Sequence, residues 1–140
     1  MKTNKSFTQV IFHHDYKALA FPRKLLYTTA QNIYKYEKIP LKKNIQVIFC
    51  SDYSIKKLNA KFRKKPHPTD VLSFIYDEED VFGEIYISLQ RAKIQAKRYN
   101  VKYDDEILRL FVHGMMHIIG YDHIKPDERK VMELKESKYY

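Results

Sequence analysis

Cysteine, acidic charge and long apolar runs are all scarce in this chain, and each scarcity narrows what it can be. One of the 140 residues is cysteine. That residue, Cys50, cannot form an internal disulfide, which suits a reducing compartment, and its place at the end of the apolar run Ile45–Cys50 makes core packing its expected role. No window approaches the ~18 apolar residues of a membrane span. The first ten residues also lack an apolar stretch ahead of a small-residue cleavage site. A cytoplasmic protein without membrane contact is therefore expected. Acids number 17 against 26 Lys+Arg, a formal charge of +9. Such a surplus attracts polyanions, nucleic acid among them, although a merely basic surface has the same composition. There is no internal repeat or low-complexity stretch, and the length suits one domain over residues 1–140.

Hydrophobic periodicity predicts four strands and about five helices. Phe7–His13 reads as the first strand, with His13 and His14 as surface residues at its end. Pro22 opens a helix through Leu25, Leu26, Thr29, Ile33 and Tyr36, and Ile45–Cys50 follows as a strand. Ile55, Leu58 and Phe62 fall at helical spacing in a segment ending at Arg63, inside the basic run Lys61–Lys65. Thr69–Ile75 and Val81–Ser88 predict two strands around an acidic hairpin tip, Asp77–Asp80. Ser88 is placed to cap a helix Leu89–Tyr99 that Asn100 ends. Asp104, Asp105 and Glu106 favour the positive end of a long helix reaching Gly120, and Pro126 opens a last helix before Tyr139 and Tyr140, which are expected to fray. The expected fold is α+β: a small mixed four-stranded sheet packed with about five helices, the long helix at its centre.

The chemistry concentrates in Phe111–His123, which holds His113, His117 and His123, three of the six histidines. Residues four apart on a helix differ by about 40° around the axis, so His113 and His117 share a face. Gly120 offers a left-handed helix stop after which His123 can fold back as a third ligand. Three neutral imidazoles suit one Zn²⁺ and leave a fourth position open, as catalytic zinc sites do. The bland alternative is a chance histidine pair on a half-buried helix; the third histidine after the glycine argues against it.

The spacing His-x-x-x-His-x-x-Gly-x-x-His is that of metzincin proteases, which carry a general-base Glu after the first histidine. Here that position is Gly114. The variant His-Gly-x-x-His-x-x-Gly-Tyr-Asp-His resembles the signature of the YbeY family of bacterial endoribonucleases. The likeness extends to Leu58-Asn59, Arg63, Thr69-Asp-Val-Leu-Ser-Phe74, Gly83-Glu84 and Ile87-Ser88, in the family's order. Two positions depart from the pattern, Pro66 where the family often has an acid and Ile75 where it often has proline.

The resemblance implies a zincin-like metal helix with His113, His117 and His123 as ligands of one zinc ion, and Arg63 as the functional arginine of the cleft. It also implies a zinc-dependent, single-strand-specific endoribonuclease that acts in late 16S rRNA 3′-end maturation and ribosome biogenesis, with precursor RNA and the ribosome or its small subunit as partners. A guanidinium fork suits the oxygens of a phosphorane, though a surface arginine in a basic run is the plain alternative. Asp122 orients a ligand or caps the turn, and Thr69 and Asp70 are open to a turn role alone. Two further functions compete: a zinc metallopeptidase, which Gly114 disfavours, and a non-catalytic RNA- or ribosome-binding factor with a structural zinc, for which His67 is a candidate fourth ligand.

Overall fold

Apolar alternation builds four strands, β1 (Val10–His14), β2 (Asn44–Cys50), β3 (Val71–Ile75) and β4 (Val81–Ser88). Helical periodicity builds α1 (Arg23–Tyr36), α2 (Asp52–Arg63), α3 (Leu89–Tyr99), α4 (Tyr103–Ile119) and α5 (Pro126–Glu136). The computed structural model describes residues 7–63, 69–76, 78, 80–121 and 125–140, Arg63 by its backbone alone. The sheet order is β1-β2-β4-β3. β1, β2 and β4 run parallel and β3 pairs antiparallel with β4, which makes the sheet mixed and leaves β3 at one edge.

The two faces of the sheet are covered unequally. Ile45, Val47 and Phe49 of β2 and Ile85 and Ile87 of β4 point to one side, where they meet Leu26, Ala30 and Ile33 of α1 and Ile107, Leu110, Phe111 and Met115 of α4. The other side is a smaller cluster of Cys50, Ile55 and Leu72 under α2. Burial pushes the Cys50 thiol pKa up to about 12, with Asp15 and Asp52 adding to the effect, so this cysteine is a packing residue and no nucleophile.

Several boundaries follow from local bonding. The first strand starts at Val10 and not Phe7, because the Phe7 ring packs edge-on against Tyr27 and Tyr34 at 5.6 and 5.0 Å instead of extending the ladder. His13 is exposed and meets Gln46, as expected. His14 is half-buried, its Nε2 2.6 Å from the Leu19 carbonyl and its ring edge-on to Phe21. Ser51 Oγ accepts from the Ser54 amide at 3.1 Å, so α2 starts a turn before Ile55. Ser88 caps α3 by accepting from the Arg91 amide, and Asn100 ends it at φ 56.

The C-terminal segment is pinned, where fraying was expected. Glu37, just past α1, accepts hydrogen bonds from Tyr139 (2.7 Å) and Tyr121 (3.1 Å) and pairs with Lys135 at 3.5 Å. Burial alone would raise its pKa, but these partners hold it below the usual carboxylate range. The cluster fixes α5 against the end of α4.

Candidate metal centre

The amphipathic pattern of α4 turns His113 and His117 away from the core, and their rings meet edge-on with centroids 4.7 Å apart and planes at 83°. The pair forms one side of a cleft of about 350 Å³ whose other side is β3. Thr69, Asp70, Val71, Ser73 and Ile75 line it with the histidines. Ser73 Oγ reaches the Gly114 carbonyl at 3.4 Å, linking the two walls.

Behind the pair, His113 Nδ1 lies 2.6 Å from Glu136 Oε2, on α5. A carboxylate at that distance accepts a hydrogen bond from Nδ1–H, which leaves the lone pair of the neutral imidazole on Nε2. Glu136 is 6% exposed, so its hydrogen bond is shielded from water. A histidine held by a carboxylate is the common arrangement around bound zinc. Two close imidazoles, one of them fixed in its tautomer, therefore fit a metal ion.

Gly114 has a structural reason. A β-carbon there would meet Ile85 Cγ2 of β4 at 2.8 Å, and one at Gly83 would meet the Phe74 carbonyl oxygen at 2.6 Å and Ile118 Cδ1 at 2.8 Å. Position 114 thus faces the sheet and not the cleft, and α4 lies close to β4 because both residues are glycine. The glutamate of a metzincin, set here, would be driven into Ile85. We expect Gly114→Ala and Gly83→Ala each to destabilise the fold by about 1–3 kcal/mol in urea denaturation. Wild-type stability in either would show that the helix has slack against the sheet.

The remaining sequence candidates are placed unevenly. Arg63 is the last residue of α2, but its side chain lies outside the described residues, as do His67, Asp122 and His123. Among the described residues, no group of three His, Cys, Asp or Glu is arranged to hold a metal ion. The start of α2 is fixed by Asp52, which accepts from Ser88 Oγ (2.6 Å) and Arg91 Nη2 (3.0 Å).

Comparison with known proteins shows the family. The family model for endoribonuclease YbeY matches residues 12–140. The chain belongs to the YbeY family. A YbeY of Thermotoga petrophila is 41% identical over 97 residues, 69% of this chain and 65% of that protein. One of Lysinibacillus sphaericus is 38% identical over 113 residues, 71% of this chain and 72% of that protein. The alignments thus span about two thirds of these YbeY relatives. The solution structure of a Thermotoga maritima protein superposes with a TM-score of 0.68 at 34% identity, covering 93% of this chain and 85% of that one.

Besides Asp70, which stands in the Thr69–Phe74 motif, four residues around the site escaped the sequence motifs: Gln95, Glu106, Arg109 and Glu136. Asp70 lines the cleft; its Oδ1 accepts from the Val71 amide at 2.8 Å and its Oδ2 lies 3.4 Å from Gln95 Nε2. Gln95 also donates to Glu106 at 2.7 Å, and Glu106 takes Arg109 in a two-pronged bond at 3.0 and 2.6 Å. Arg109 and Glu136 then line a second cavity, of about 460 Å³, behind His113. The i, i+3 spacing of Glu106 and Arg109 was a signal for their pairing. Nothing local marked Glu136, which is 23 residues from its histidine.

Proposed function

We propose that the chain is a zinc-dependent endoribonuclease cutting single-stranded RNA, with ribosomal RNA precursors as substrate in late 16S 3′-end maturation and with the ribosome or its small subunit as partner. The observation that carries this reading is the paired histidines on the cleft wall, one of them held by the buried Glu136. Family membership supports RNA as substrate, and the +9 charge suits a polyanion.

His113 and His117 would hold the metal, with His123 as third ligand. Bound zinc would supply a water of pKa about 7 and a Lewis acid for a phosphoryl oxygen. Glu136 accepts the hydrogen bond of Nδ1–H and so keeps the Nε2 lone pair directed at the metal position. Arg63 is assigned to the phosphate oxygens that gain charge as the bond breaks. A cleft of about 350 Å³ favours an unpaired nucleotide, since a duplex does not enter it. Gly114 leaves no room for the metzincin base, which disfavours the peptidase.

The test is cleavage of an end-labelled single-stranded precursor RNA by zinc-loaded protein, beside Arg63→Ala and His117→Ala. Cutting that needs both residues supports the assignment. Three equally inactive proteins that still bind the RNA would instead support a binding factor. Glu136→Ala should cost roughly 10–100-fold in zinc affinity by chelator competition, with Glu136→Gln less damaging because the amide oxygen still accepts from Nδ1. Unchanged affinity in the alanine variant would remove Glu136 from the metal site.

A further inference from the structure

The cleft wall opposite the histidines is a strand edge, and its backbone is available. The Ser88 amide donates to the Asp70 carbonyl and the Tyr76 amide to the Phe82 carbonyl, both at 3.0 Å. In the antiparallel register Leu72↔Tyr86 and Phe74↔Glu84, this turns the polar groups of even-numbered β3 residues toward β4. Those of Val71, Ser73 and Ile75 point the other way, off the sheet. The Val71 amide is taken by Asp70. Among the described residues nothing hydrogen-bonds to the amides or carbonyls of Ser73 and Ile75.

Two large apolar side chains border this short edge. Ile75, 60% exposed, projects on the cleft side. Phe62, 56% exposed, lies on the α2 side, its ring edge-on to Phe74 at 5.4 Å. No glycine, proline or charged residue interrupts Val71–Ile75, so nothing of the usual kind blunts the edge.

An N–H beside a C=O offers the same donor and acceptor pair that a Watson–Crick edge does. Only two amides are free, which is too short a ladder to hold a peptide strand, typically five to six residues long. It is the right extent for one or two bases. The charge on the α2 side favours nucleic acid as well: α2 carries Lys56, Lys57 and Lys61, all exposed, and its one acid, Asp52, is occupied by Ser88 and Arg91, whereas the exposed acids Glu78 and Asp80 lie past the other end of the edge, in the hairpin.

We infer that the free edge of β3 at Ser73 and Ile75 reads an unpaired base of the RNA by backbone hydrogen bonds, with Ile75 and Phe62 against its two faces. This rests on the proposal that RNA is the substrate, and it adds what selects the RNA: a base already paired has no Watson–Crick edge to give, and bases differ in the order of their donors and acceptors.

Binding separates this from cleavage. Anisotropy of short labelled homopolymers of A, C and U, measured in EDTA, should show roughly tenfold between the best and the worst for the wild type. Ser73→Pro removes one outward amide while leaving the ladder to β4 intact, as edge strands tolerate. It should bring the homopolymers within roughly twofold of one another, whereas Ser73→Ala keeps the wild-type order. Phe62→Ala should weaken all of them by roughly tenfold without reordering them. In the wild type, the amide resonances of Ser73 and Ile75 should shift on adding the preferred oligonucleotide, a readout that needs no variant to fold. Equal binding of all homopolymers, an unchanged preference in Ser73→Pro, or unmoved amides each overturns the inference. So does an alternating threonine–valine hexapeptide that shifts these amides when RNA does not. Base-selective binding without cutting would instead retire the nuclease proposal and leave this one standing.

Discussion

His117→Ala is expected to lower zinc affinity by at least ~100-fold and to reduce RNA cleavage to background, with the far-UV circular dichroism of the metal-free protein unchanged. The magnitude follows from the ligand count. Zinc binding by a full protein ligand set is worth roughly 10–16 kcal/mol, so one ligand of three or four represents about 3 kcal/mol or more, two powers of ten in affinity. The fold should survive because His117 is a half-buried residue at the cleft and not part of the core that holds α4, where Phe111, Val112 and Met115 are fully buried. The loss should exceed that of Glu136→Ala, since Glu136 acts on the metal only through His113. Isothermal titration with zinc and a cleavage assay on the same preparation check both halves. Unchanged zinc affinity would sink the histidine pair as ligands. Lost zinc with full cleavage would leave the metal a structural role and move the chemistry elsewhere in the cleft.

How much of this was legible in the chain depends on the range of the interaction. Elements written in local periodicity were readable: β2, β4, α3 with its Ser88 cap, and the face of α4 that carries His113 and His117. The hairpin that makes β3 antiparallel was readable too, from two strands around a short acidic tip. The order of the strands was not, because placing β4 between β2 and β3 depends on how α2 crosses the sheet. Ends were misjudged where a distant partner decides them. Phe7 leaves the ladder for Tyr27 and Tyr34, and Tyr139 is held by Glu37, 102 residues away. At the site, the histidine pair of α4 announced itself through spacing and Asp70 through its motif, while Glu136 reaches His113 only through the packing of α5 against α4. The sequence puts Gly114 where a metzincin has its base and on or beside the buried side of α4, and its contact with Ile85 supplies the reason that a side chain does not fit.

Glu106 shows how a residue can satisfy a local rule and serve a different one. Its position among Asp104 and Asp105 in the first turn of α4 reads as a helix-dipole acid. Yet it is 2% exposed, and its carboxylate is filled by Arg109 and Gln95. The hydrogen bonds that Arg109 donates to Glu106 in turn push its pKa up from its already high value, so the guanidinium stays charged. Removing that cation by Arg109→Ala strands a buried carboxylate with Gln95 alone. Breaking a fully buried ion pair typically costs 3–5 kcal/mol; the Arg109 side chain is 38% exposed, so water can take part of its place and about 2–3 kcal/mol is expected. A urea denaturation series measures it. The double variant Glu106→Gln with Arg109→Met removes both charges and should recover most of the loss, because a neutral amide is far cheaper to bury than an unpaired carboxylate. If the double variant is as unstable as Arg109→Ala, then the Arg109 side chain matters through its packing and not through its charge. The same variants test the line to the cleft. Gln95 bridges Glu106 and Asp70, so Arg109→Ala frees it to turn wholly toward the stranded carboxylate and loosens Asp70 at the rim. Weaker RNA binding alongside the lost stability would show that the polar chain positions the cleft wall, and unaltered binding would confine its role to the fold.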